Sequence, residues 1–96
     1  MKFDFSEEKN KRIFENRGVS FYQAIETIAE KGVLLNIEHP NQDKYPDQHI
    51  LVIEMEGYTY CIPYIIDGNT WYLKTIYPSR KFHHLIDLER ENEEEI

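Results

Sequence analysis

Two groups of cations stand out in a 96-residue chain whose formal net charge is -7. One is Lys74-Thr75-Ile76-Tyr77-Pro78-Ser79-Arg80-Lys81, which puts three cations, a phenol and two hydroxyls into eight residues. The other is Lys9, Lys11, Arg12 and Arg17, in a polar N-terminal stretch. The first group falls where a strand-like segment gives way to a helical one. Free backbone N–H groups of a helix start can join such cations in meeting an anion. Two basic clusters from distant positions can line one groove for a phosphate. RNA carries its own nucleophile, the 2′-OH. A protein promotes its cleavage by taking that proton, stabilising charge on the phosphorus oxygens and protonating the leaving 5′ oxygen. Cations with a Tyr, His or Glu can fill those roles with no cofactor and no metal. The plainer reading makes Ser79 a helix N-cap and the cations a solvated surface.

Other chemistries find less support. Cys61 is the only cysteine, so no internal disulfide and no cysteine-rich metal site is expected. It sits in an apolar segment, where a free Cys is usually a small buried hydrophobe. His39 and His49 lie ten apart around a loop, and His83-His84 are adjacent, so each reads as structural or surface. The four glycines are scattered and form no phosphate loop. No Ser/His/Asp or Cys/His nucleophile arrangement is signalled.

The elements that must position these residues follow from periodicity and punctuation. Lys2-Phe3-Asp4-Phe5 alternates like a short strand. Ser6 starts a helix over 6–17, with Glu7 and Glu8 in the first turn and Gly18 past its end. Ser20 and Gln23 form a capping box, and Phe21, Ala24, Ile25, Ile28 and Ala29 share one face of a second helix ending at Lys31-Gly32. Val33 to Ile37 reads as a strand. Residues 38–48 form a polar loop with two prolines, long enough to be functional or mobile. Three strands follow: His49 to Glu56, Tyr58 to Ile66 and Thr70 to Tyr77. They turn at Glu56-Gly57 and Asp67-Gly68. Pro63 cannot donate to a ladder, which marks an edge or a bulge. From Ser79 the chain turns helical, with Phe82, Leu85, Ile86 and Leu88 facing inward. The expected fold is α+β: two N-terminal helices, an antiparallel sheet of about four strands and a C-terminal helix.

Length and composition set the frame. An apolar fraction of 41% over 96 residues supports one compact domain over 1–86. Residues 87–96 hold six acidic groups and one basic, so the acidity is concentrated in a tail or helix end and the rest carries only -2. Such a segment is commonly solvated; it can also mimic nucleic acid or lie over a basic patch. No apolar run is long enough to cross a bilayer, and the first residues lack the apolar core of a secretory signal. With its single cysteine, the chain fits a reducing cytoplasm. Along 58–66, Tyr58, Tyr60, Ile62, Tyr64 and Ile66 share a side. If helices cover the other face, the seven tyrosines suit an interface, to a partner or as a homodimer, as well as half-buried packing.

Phe3-Asp4-Phe5-Ser6-Glu7-Glu8-Lys9-Asn10, followed by Arg17-Gly18-Val19-Ser20-Phe21, resembles the opening of BrnT-family toxins. Ile76-Tyr77-Pro78-Ser79-Arg80-Lys81 resembles that family's closing strand and helix start. The resemblance implies a RelE-like ribonuclease fold. It also implies an endoribonuclease toxin that blocks translation, paired with a DNA-binding antitoxin of ribbon-helix-helix type. By position, Lys9, Arg17 and Arg80 match family basic residues, and Lys74 does so after a one-residue shift. These four would bind phosphate and stabilise the transition state, with Tyr77 or His83 transferring the proton. The chain departs from the pattern in several places. Phe5 stands for Trp, Arg17 for His and Pro78-Ser79 for Ser-Ala. His83, His84 and the acidic tail stand where basic residues usually crowd the last helix. Weak intrinsic RNA affinity is expected from that charge balance. A non-catalytic interaction module on the same fold is the alternative.

Overall fold

The computed structural model describes residues 2–94, with side chains up to Arg90. The element order is β1 (Lys2–Asp4), α1 (Glu7–Arg17), α2 (Phe21–Lys31), β2 (Leu35–Glu38), β3 (His49–Met55), β4 (Tyr58–Asp67), β5 (Thr70–Leu73), β6 (Tyr77–Pro78), a 3-10 turn (Arg80–Phe82) and α3 (His84–Glu94). The fold is α+β, as the periodicity predicts. The sheet has six strands in the order β1-β5-β4-β3-β2, with β6 beside β4 beyond the end of β5. It is antiparallel except for β1, which pairs parallel to β5.

The two N-terminal helices start on side-chain caps. Ser6 Oγ accepts from the Lys9 N–H, and Ser20 Oγ from the Gln23 N–H. Gln23 does not complete a capping box; its amide reaches Glu56 at 3.4 Å. α1 ends at Gly18, whose φ of 72° suits glycine and lets its N–H close on the Phe14 carbonyl. The Asn10 side chain accepts from the Phe21 N–H at 2.7 Å, fixing α2 against α1. The β3–β4 hairpin turns on Glu56 and Gly57, both at positive φ, as a two-residue hairpin requires.

The main core lies between the helices and one sheet face. Ile13 of α1, Val19, and Phe21 and Ala24 of α2 pack on Leu51, Ile53, Met55, Ile62, Tyr64, Leu73 and Ile76. The tyrosine side of β4 is thus the helix-covered side. Tyr64 is buried, stacks on Trp71 at 4.4 Å and donates to Asn36 Oδ1 at 2.6 Å. Of the two readings of the tyrosine side, an interface or half-buried packing, Tyr60 and Tyr64 fit the packing one, because the helices cover that face. A smaller cluster on the opposite face joins Ile50, Val52 and Cys61 to Ile37, Tyr77 and Phe82.

Pro63 lies in β4, which has partners on both sides, so it is not on an edge strand. Its carbonyl accepts from the Lys74 N–H at 2.8 Å. In an antiparallel pair a residue's N–H and C=O point to the same neighbour. The donor that Pro63 lacks therefore also faces Lys74, and the ladder breaks there. Pairing resumes at Cys61 with Tyr77 and Tyr60 with Pro78. Thr75 and Ile76 together oppose Ile62, which is a β-bulge. The expected continuous strand from Thr70 to Tyr77 is accordingly two strands. The extra residue flips the alternation, so Leu73 and Ile76 both face the main core. Tyr77 goes to the other face.

The C-terminal element also differs. Ser79 makes no side-chain cap. Its N–H donates to the Thr59 carbonyl and its carbonyl accepts from the Thr59 hydroxyl, so it extends the strand. Arg80 opens a single 3-10 turn, and the α-helix, α3, begins only at His84. Ile86 is buried, but Leu88 is half exposed. The acidic segment continues α3 as far as Glu94; the end of the expected tail, Glu95 and Ile96, lies outside the described residues. Arg90 meets Glu54 of β3 at 3.7 Å.

If the bulge turns Ile76 inward, Ile76→Ala should remove about 2–5 kcal/mol of stability. Thr75→Ala should remove less than about 1 kcal/mol. Urea unfolding of both variants checks this, and equal losses would contradict the bulged register.

Candidate functional site

The bulge opens a cavity of about 410 Å³. The chain supplies its walls from three places. Lys9 comes from the first turn of α1. Pro63, Lys74, Thr75 and Tyr77 come from the broken ladder. His39, Tyr45 and Gln48 come from the loop before β3. Two ammonium groups, two phenols and an imidazole share this space, and among the described residues no carboxylate lines it.

Each element holds its residue for a local reason. Helical spacing puts Lys9, Ile13 and Arg17 on one stripe of α1. Ile13 is buried in the main core. The Arg17 guanidinium donates to the Ile76 carbonyl, inside the bulge. That carbonyl is freed from regular pairing by the bulge, so Arg17 fastens α1 to the broken strand. Lys74 and Tyr77 flank the extra residue and are both half-buried.

The loop 39–48 is built rather than loose. The Gln42 amide donates to the carbonyls of His39 (2.8 Å) and Gln48 (3.0 Å), and its carbonyl accepts from the Asp47 N–H (3.1 Å). The His39 N–H donates to the Gln48 carbonyl, continuing the β2–β3 ladder. The rings of His39 and Tyr45 pack at 4.4 Å. His39 Nδ1 accepts from the Asn41 N–H at 3.0 Å. A neutral ring held this way carries its proton on Nε2 and offers a donor there.

Tyr77 lies against Cys61. Burial pushes the Tyr77 phenol up from its ordinary value, and the neighbouring Cys61 adds to that. Burial likewise pushes the Cys61 thiol up, partly offset by hydrogen bonds with Ser79 and Tyr77. Both keep their protons at neutral pH. A protonated Tyr77 phenol can donate a hydrogen bond. The arrangement can bind a phosphoryl group through ammonium, phenol and imidazole donors and can stabilise added negative charge on it.

Of the six residues singled out in the sequence, Lys9, Lys74 and Tyr77 meet in this cavity. Arg17 does not line it and donates instead to the Ile76 carbonyl of the bulge. Arg80 is exposed on the 3-10 turn and does not line the cavity. His83 is exposed and packs its ring 5.5 Å from that of Tyr58, near the hairpin end of β4. The sequence reading passed over His39, Tyr45 and Gln48 as contributors. Their signal was the length of the loop, with its two prolines and its polar content. Among the described residues, no group of three or more His, Cys, Asp or Glu could hold a metal ion. Also among them, no helix is long and apolar enough to cross a membrane. No family model matches the chain, and no significant match was found among curated proteins or solved structures.

The proton-holding of Tyr77, Cys61 and Tyr64 has a signature. All three are raised by burial, from ordinary values of 10.0 for the phenols and 9.0 for the thiol. The stability this gives is complete below those ordinary values and is lost as pH rises through the folded-state ones. The thermal midpoint should therefore fall on the alkaline side of pH 9, and less steeply in Tyr77→Phe. A midpoint unchanged beyond the ordinary phenol value would contradict it.

Proposed function

We propose that the chain is a metal-independent endoribonuclease of the toxin type. It would cut RNA in the cytoplasm, block translation, and be neutralised by a DNA-binding antitoxin, as the resemblance to BrnT-family toxins implies. The supporting observation is the meeting of Lys9, Lys74 and Tyr77 in one cavity that no carboxylate among the described residues lines, within a chain of net charge -7.

The chemistry is a transfer within the RNA itself. The 2′-oxygen attacks phosphorus, the bond to the 5′-oxygen breaks, and a 2′,3′-cyclic phosphate and a free 5′-OH result. Lys9 and Lys74 stabilise the charge that develops on the non-bridging oxygens. The Tyr77 phenol and the His39 Nε2–H donate to the phosphoryl group or the leaving oxygen. No group in the cavity is held as a ready base. The 2′-OH proton therefore passes to solvent or to a phosphoryl oxygen, and the rate rests on charge stabilisation and positioning.

The same lack of a base, with Arg80 and His83 outside the cavity, favours a second reading: a non-catalytic module on this fold that binds an antitoxin-like partner. Cleavage and co-purification on one preparation separate the two.

Expression of the wild type in a host without antitoxin should arrest growth. Lys74→Ala and Lys9→Ala should each lower RNA cleavage by roughly 10²-fold and relieve the arrest. Arg80→Ala and His83→Ala should change cleavage far less. Unimpaired growth with well-expressed, soluble wild type would sink the nuclease reading.

A further inference from the structure

A second cavity, of about 250 Å³, adjoins the lysine cavity, and His39 and Tyr77 line both. It lies on the sheet face away from α2, where the buried Ile50 and Cys61 and the half-buried Ile37 supply an apolar floor. Phe82 stands at its side. Three π-systems, those of His39, Tyr77 and Phe82, therefore bound one small apolar space. Its volume is below the roughly 300–1,000 Å³ typical of drug-sized ligands. That excludes a folded segment and suits a single planar ring system.

The neighbouring cavity decides which ring. An anion-binding space that shares two walls with an apolar, aromatic-sided one matches the two halves of a nucleotide. We infer that the second cavity is a base subsite. The base of an RNA strand packs over Ile37 and Ile50 beside Phe82 while its phosphate lies between Lys9 and Lys74. This rests on the reading of the lysine cavity as a phosphate site, but not on cleavage.

The walls also set the selectivity. Cys61 keeps its proton and is a weak partner, which leaves Ser79 and Lys81 as the polar side chains there besides the two shared walls. Stacking on aromatic side chains is tolerant of base identity, because every base has a π-face. The subsite should therefore prefer a base over no base, with little choice among bases.

Titration of the intact chain with inorganic phosphate, ribose 5-phosphate and the four ribonucleoside monophosphates tests this by calorimetry and methyl NMR. The nucleotides should bind about tenfold or more tighter than ribose 5-phosphate. Only the nucleotides should shift the methyl signals of Ile37 and Ile50. Phe82→Leu, which keeps the apolar packing, should remove most of that gain and leave ribose 5-phosphate unchanged. Lys74→Ala should weaken every ligand alike. Equal binding of ribose 5-phosphate and nucleotides would overturn the base subsite and leave the phosphate site standing. Failure of every ligand to bind would overturn both. Nucleotide binding with these methyl shifts, in a protein that cuts no RNA, would support the subsite while removing the nuclease.

Discussion

One missing hydrogen-bond donor organises this molecule. Pro63 sits in a strand with neighbours on both sides, where a residue normally exchanges two bonds with its partner. It can accept from Lys74 but cannot give back. A regular strand would leave the Lys74 carbonyl without that donor, and a buried unpaired carbonyl is unfavourable by an amount comparable to a lost hydrogen bond. The bulge lets the chain leave the ladder at this point. It then regains pairing one residue out of phase, at Cys61 and Tyr77.

The phase change distributes the chemistry. Without the extra residue, Ile76 would fall on the face of Tyr72 and Lys74, and Tyr77 on the face of Leu73. With it, Ile76 completes the main core and Tyr77 goes to the opposite side, against Cys61. The Ile76 carbonyl, turned out of regular pairing, becomes the acceptor for Arg17. So one backbone defect places a phenol, frees a half-buried lysine beside it, and ties the helix that brings the second lysine. Arg17 holds the backbone of the bulge through the Ile76 carbonyl, a contact that sequence spacing alone does not distinguish from ligand binding.

Much of this was legible in the residues, and the rest was hidden for identifiable reasons. The Ser6 and Ser20 caps, the Glu56-Gly57 turn and the burial of Ile13, Phe21 and Ala24 follow from local chemistry that the structure keeps. The strand through Lys74 departs from a strict period of two. Pro63, on the neighbouring strand, signalled that the period would fail, but its partner could not be known before the register. Ser79 has the chemistry of an N-cap, and the Thr59 hydroxyl and carbonyl compete for its backbone and win. His39 and Tyr45 were hidden because Gln42, a residue with no pattern of its own, shapes the loop that presents them.

The charge distribution takes on a different sense once the elements are placed. A net charge of -7 argues against a nucleic-acid surface only if the carboxylates share space with the cations. They do not. Arg90 of α3 pairs with Glu54, Glu89 lies with Arg90 beside Glu30 and Lys31, and among the described residues no carboxylate lines the lysine cavity. At physiological ionic strength charges more than about 8 Å apart through solvent are largely screened. Lys9 and Lys74, with the donors around them, are the cavity's own contribution to the field felt by a phosphate there, to which Glu7 and Glu8 in the first turn of α1 add the opposite sign. On the reading proposed above, the acidic end of the chain would slow the long-range approach of a polyanion. A site of this kind would hold a short stretch of backbone firmly while discouraging extended electrostatic contact along a strand.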